Sequence, residues 1–414
     1  MITIKPFKAY RPAEAYVQEV ADLPYDVVTD EEVRQTLKVR PYSFLKVDKP
    51  EAWCKNKDEV SVAKAAGEAL TELMEEKILL EDEEQSLYIY GLESKWGKQY
   101  GIVGCFSCSE YEKDLIKKHE KTRADKEADR VRHVAACKAH TGPIFLTCKE
   151  DKTLEEWING YIKEEQPVYD FIDEASLRQV VYRICDVGKT EEVVQVFKQL
   201  EALYVADGHH RLQAASTYAK QCRMDRSKEE ASEATQEEYE YFLGVVFPKS
   251  ELTILDYNRV LKDESGLSEE ALMKALEEYF VVNLVDEELF KPEARHTFGM
   301  RYKKKWYALK AKQELIDEKN VVERLDTSIL QKKVLEPIFK IQDPRTDKRM
   351  DFVGGIKGIK ALNDLTDERW DIAFSLYPTS IEELIDVADE GELMPPKSTW
   401  FEPKLRSGLF IHKF

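Results

Sequence analysis

The sequence lacks the features that announce the commonest chemistries. Its 414 residues contain no G-x-x-x-x-G-K-[ST] stretch, which excludes the standard phosphate loop. One Cys-x-x-Cys occurs, Cys105 to Cys108, and no second pair completes a zinc or redox set. The seven cysteines are scattered and odd in number, which argues against a disulfide framework and for reduced thiols in a cytoplasm. No run of about 18 apolar residues appears, so no membrane span is expected. Met1 to Pro6 carry no signal-peptide pattern. Positive charge is in deficit: 62 Lys and Arg against 80 Asp and Glu leave a net charge of −18. Nucleic acid is therefore not expected as the main partner, because polyanion binding needs cationic side chains on phosphates.

What is present is the composition of a globular α/β chain, long enough for two or three domains. Val60 to Leu80 has helical spacing, and Leu87–Leu92 with Tyr100–Phe106 predicts a hairpin. Pro24–Val28 reads as a buried turn into a strand, and 110–138 as one long charged helical region. Asp225 to Glu240 reads as a solvated loop or exposed helix. Glu269–Tyr279 reads as a helix capped by Ser268, and Thr297–Leu309 as a hairpin about Lys303-Lys304-Lys305. The expected divisions are an N-terminal α/β region over 1–99, a core over 100–260 and a C-terminal α/β region over 261–414.

The densest chemistry is Asp207-Gly208-His209-His210-Arg211, between an apolar run, Leu203–Ala206, and a helix-like one, Leu212–Cys222. A strand turning through Asp-Gly into a helix gathers unpaired N–H groups and the positive end of the helix dipole. Anions bind there, and two histidines and an arginine add donors. Asp207 could hold Mg²⁺ or take a proton. A second cluster, Lys117 to Arg123, surrounds Glu120 with cations, which would keep that carboxylate ionised. A third, Pro395 to Trp400, offers Lys397, Ser398 and Thr399 after two rigid prolines. Asn258 and Arg259 follow a strand and are further candidates.

Taken together these stretches resemble a large family catalogued as a domain of unknown function. The likeness rests on Pro24–Val27, Ile116–Arg123, Asp207–Arg211, Asn258–Val260, Phe352–Gly355 and Met394–Thr399. That family resembles the free-serine kinases, whose catalytic fold is ParB/sulfiredoxin-like. Lys118-His119-Glu120 is similar to their Pro-His-Glu, Asp207–Arg211 matches their Asp-Gly-His-His-Arg, and Pro396–Thr399 is similar to their Pro-Lys-Thr-Thr. The resemblance implies a mixed-sheet α/β fold with a ParB/sulfiredoxin-like core at 100–260. It implies phosphorylation of free L-serine, with ATP or ADP as donor and Mg²⁺. Glu120 and Asp207 are then the catalytic carboxylates, expected across one cleft, with Asp207 also the metal ligand. Gly208, His209, His210, Arg211, Lys397, Ser398 and Thr399 are expected on phosphate, and His119, Thr122, Arg123, Asn258 and Arg259 on substrate. The alternative is a non-catalytic, nucleotide-binding regulator of the ParB type. A sulfiredoxin-like reductase is disfavoured because its cysteine position carries His209.

Overall fold

The computed structural model describes residues 1–149, 152–226 and 237–414. They form a mixed α/β structure with two compact units. The first comprises Met1–Lys118, Thr122–Leu252 and Pro403–Phe414, and the second His119–Lys121 and Thr253–Glu402.

The first unit is built on a nine-stranded sheet among the described residues. At its centre, Gly97–Ser107 pairs antiparallel with Tyr241–Pro248 and with Leu87–Ser94. All eight residues of Tyr241–Pro248 are buried, as expected of a strand covered on both faces. Ile144–Cys148 runs parallel to it, and Leu203–Asp207 lies antiparallel on the far side of Ile144–Cys148. The Phe106 ring lies 6.0 Å from those of Phe197 and Phe242 by centroid, each burial worth roughly 2–3 kcal/mol. The hairpin Leu87–Ser107 spans the boundary expected near residue 99, so one sheet holds residues of the first two expected regions. A separate four-stranded sheet joins Ala9–Pro12, Leu79–Glu81, Ala139–His140 and Ile411–Lys413.

The second unit carries a six-stranded sheet in which every pairing is antiparallel. Its hairpin turns at Lys303 and Lys304, both at positive φ (49° and 66°), as the right-handed twist of a two-residue hairpin demands. Leu261, Phe298, Leu309 and Phe374 form its core. Helix Ile381–Asp389 starts in a capping box of Ser380 and Glu383.

Two expectations change. Residues 110–138 are not one helix: the helix Cys108–Glu112 is followed by Asp114 at φ +60°, and Ile116–Lys117 becomes a strand parallel to Leu203–Tyr204. Helix resumes only at Ala124–Cys137. The pairing of Ile116 with buried Leu203 outweighs the helical propensity of the charged residues around it. Pro24–Val28 turns into the helix Asp30–Val39, not a strand, because Thr29 and Glu32 form a capping box. Of the charged run from 225 to 240, residues 227–236 lie outside the described residues.

All seven cysteines are free. Cys105 and Cys108 are buried, and burial pushes both thiols up, which disfavours the reactive thiolate. Among the described residues no helix is long and apolar enough to cross a membrane. Replacing Ser380 by Ala is expected to cost about 1 kcal/mol in urea unfolding by removing the cap, with Ser380→Thr near neutral. Equal losses in the two variants would contradict the capping role.

Candidate functional site

The first group of candidate residues surrounds the end of strand Leu203–Asp207. Gly208 takes φ +94°, a conformation that a side chain would strain, and helix His209–Arg226 starts immediately after it. The 18-residue helix therefore directs its free N–H groups and positive end at the turn.

Each charge in this turn already has a partner. The Asp207 carboxylate accepts the Gly208 N–H at 2.8 Å through Oδ1 and the Lys404 ammonium at 2.6 Å through Oδ2. Burial would raise this carboxyl, but Lys404, His209 and the Gly208 N–H outweigh it and hold it at about 2. At the other end, Arg211 Nη2 donates to Asp48 Oδ2 at 2.7 Å. Asp48 is completely buried and also accepts from Ser407 Oγ (2.6 Å) and Thr141 Oγ1 (3.1 Å). Despite that burial, Arg211 and His133 keep its carboxyl below the ordinary value. The guanidinium of Arg211 lies 5.1 Å from the Tyr25 ring centroid, and that of Arg130 lies 4.1 Å from it. Arg211 thus anchors the turn to the interior of the first unit.

The two histidines differ. His209 is buried, and burial lowers its imidazole to about 4, so it is neutral at physiological pH. His210 Nε2 accepts the backbone N–H of Arg123 at 3.1 Å, which requires an unprotonated Nε2. This bond brings Thr122 and Arg123 to the Asp-Gly-His-His-Arg turn. The Arg123 side chain is exposed and pairs with Asp125 at 2.8 Å.

The second group lies in the second unit. Strand Tyr257–Leu261 carries Asn258 and Arg259, both buried. Asn258 Oδ1 accepts the Leu376 N–H at 3.0 Å and its Nδ2 donates to Asp256. Arg259 donates to the carbonyls of Lys397 (3.0 Å), Pro396 (3.4 Å) and Tyr257, and its guanidinium lies 4.9 Å from the Phe352 ring centroid. Burial lowers Arg259 to about 10 yet leaves it charged. These contacts make Arg259 a brace of the Pro395–Thr399 loop, while Asn258 ties its own strand to Asp256 and Leu376. The loop needs bracing: Lys397 stands at φ +58°, costly for a residue with a side chain. Ser398 is buried, its Oγ donating to Pro395 O at 2.7 Å and lying 3.0 Å from Thr327 Oγ1. Its hydroxyl closes the turn, whereas the Lys397 side chain is exposed and reaches the Tyr257 ring at 5.6 Å. Gly354 admits Trp400 against the backbone, since a Cβ there would meet the indole at 2.6 Å. His119 is buried and its carbonyl accepts the Met394 N–H at 2.8 Å, while Glu120 is half-buried beside it.

The structure therefore gathers Asp207–Arg211 with Thr122 and Arg123. Separately it gathers Asn258, Arg259 and Lys397–Thr399, and joins His119 to Met394. Sequence reading missed Lys404 and Asp48, the partners of the turn's two charged ends. Neither sits in a motif, and no local pattern distinguishes it from any other surface-type residue.

A family model described as "Protein of unknown function (DUF1015)" matches residues 4–328. No curated protein matches the sequence. Solved structures with similar chains include a free serine kinase in complex with AMP, at 14% identity and a TM-score of 0.35, covering 72% of this chain and 89% of that one. A conserved hypothetical protein from Pyrococcus furiosus matches at 14% identity and 0.35, covering 72% and 91%. SbnI from Staphylococcus aureus, with a C-terminal truncation, matches at 13% and 0.38, covering 75% and 87%.

Two outcomes follow from the geometry. Asp48→Ala leaves Arg211 buried without its carboxylate and is expected to cost about 3–5 kcal/mol in urea unfolding, with Asp48→Ala/Arg211→Ala recovering part of the loss. Strict additivity of the two single losses would contradict the pair. His209 binds its proton near 6.5 when unfolded and near 4 when folded. The unfolded chain thus holds more protons between those values, and stability falls as pH drops through that window. Urea melts at about pH 7 and about pH 5 should show a smaller acid loss for His209→Gln than for the parent chain; identical losses would count against a buried neutral His209.

Proposed function

For a chain that belongs to the DUF1015 family of proteins of unknown function, we propose phosphoryl transfer from a nucleotide to the hydroxyl of free L-serine. The observation that carries this reading is the Asp207–Arg211 turn: a strand ending, a left-handed glycine and the start of a long helix, in the letters of the free-serine kinase motif. A ParB/sulfiredoxin-like catalytic core is part of the same reading.

The roles follow from each residue's surroundings. The N–H groups at the start of helix His209–Arg226 and the neutral donors of His209 and His210 receive phosphate oxygens. Arg211, held by Asp48, fixes the turn. Lys397 brings an exposed ammonium from a strained loop whose carbonyls are held by Arg259. Glu120 orients the serine hydroxyl and accepts its proton. The serine Oγ–P bond forms as the bond from phosphorus to the leaving oxygen breaks, and ATP departs as ADP, or ADP as AMP. Such transfers depend on positioning and charge more than on covalent chemistry, which suits a site of fixed donors. His119, Thr122 and Arg123 serve the amino-acid substrate, and Asn258 orders its own strand through Asp256 and the Leu376 N–H.

The test is formation of O-phosphoserine from L-serine with ATP or ADP as donor. Glu120→Gln is expected to lower kcat by at least about a hundredfold with nucleotide affinity retained. Full activity in that variant would remove Glu120 from the role of base. Absence of product with both donors overturns the kinase reading, and nucleotide binding without product favours a ParB-like regulator.

A further inference from the structure

The kinase reading brings with it a magnesium ion on Asp207, and the residues around that carboxylate do not fit one. An ammonium already lies 2.6 Å from Oδ2, and the Gly208 N–H lies 2.8 Å from Oδ1. Lys404 is no loose surface lysine, since its side chain is only 13% exposed. Its segment is pinned to the first unit by the residues that follow it. Ser407 exchanges backbone hydrogen bonds with Asp22 and donates to Asp48, Arg406 Nε donates to Asp173 at 2.9 Å, and Ile411–Lys413 is a strand between two others. A divalent ion reaching Asp207, whose side chain is 39% exposed, would therefore approach a fixed positive charge already seated on the carboxylate.

We propose that Lys404 takes the place of a divalent cation at Asp207, making Asp207 an internally paired carboxylate and Lys404 its positioning residue. The inference deepens the kinase reading and in its nucleotide arm rests on it. It also explains the charge balance of the turn. Asp207 is neutralised by Lys404, Arg211 by Asp48, and His209 is uncharged, so the motif's charges are met by residues outside it. Nucleotide phosphate then meets N–H donors and the Asp207–Lys404 pair, with no metal bridge on this carboxylate. Any divalent ion used in turnover is carried by the nucleotide or held by other residues.

Two measurements on the full chain decide the matter. In the first, Mn²⁺ alone is titrated and free Mn²⁺ is read by electron paramagnetic resonance. The parent chain and Asp207→Asn should bind Mn²⁺ equally, and a loss of about tenfold in affinity on Asp207→Asn would overturn the proposal. In the second, ADP binding is measured by calorimetry in EDTA. The parent chain and Lys404→Arg should bind, whereas Lys404→Gln should bind about tenfold more weakly. Binding by Lys404→Gln equal to the parent's would also overturn it. If the parent chain binds no ADP with or without Mg²⁺, the kinase reading falls, and the Mn²⁺ comparison alone decides the role of Lys404.

Discussion

Burying a charge without a partner costs more than a small domain can spare, and that constraint organises the turn at residues 207–211. A carboxylate and a guanidinium stand four residues apart at the start of one helix. Each is met by an opposite charge from a distant part of the chain: Lys404 from its last residues, Asp48 from a short helix near its beginning. Asp48 gathers Arg211, Thr141 and Ser407 on its two oxygens, which ties the helix after the turn to three separated segments. Such pairs contribute little net stability compared with apolar packing, but removing one partner exposes the full desolvation cost of the other. The turn is consequently rigid before any ligand arrives, the condition under which fixed donors act most strongly on a developing charge.

The same economy appears in the second unit with backbone groups in place of carboxylates. Arg259 is buried and satisfied mainly by carbonyl oxygens, two of them from Pro396 and Lys397. These bonds hold Lys397 in a left-handed conformation that its side chain opposes. Ser398 closes the loop through Pro395 and Thr327, and Trp400 packs on Gly354. An arginine that looks in sequence like an anion ligand thus serves as a scaffold, and the exposed group of the loop is the lysine.

Where the pattern was local, the sequence was legible. The hairpin of Leu87–Ser107, the buried strand Tyr241–Pro248, the Ser268-capped helix and the strand–turn–helix at 203–226 form as spacing and capping dictate. Residues 110–138 were misread because charge and helical spacing are weak evidence once a neighbouring strand is available. Ile116 gains a buried partner in Leu203 by leaving the helix. Pro24–Val28 was misread because the capping box of Thr29 and Glu32 starts a helix directly after the turn.

By itself the sequence determined the chemistry on offer: a mixed α/β chain, free thiols and an Asp-Gly-His-His-Arg turn that only a glycine at φ +94° and a following helix could form. Local rules suffice for that, because turns and caps depend on residues within one or two helical turns of each other. Only the tertiary structure decided which of those groups remain available. Lys404 reaches Asp207 across 197 positions and Asp48 reaches Arg211 across 163, distances over which no periodicity carries information. Charge neutralisation inside a folded chain is set by what packing brings together, and there the aspartate that reads as a metal ligand meets an ammonium.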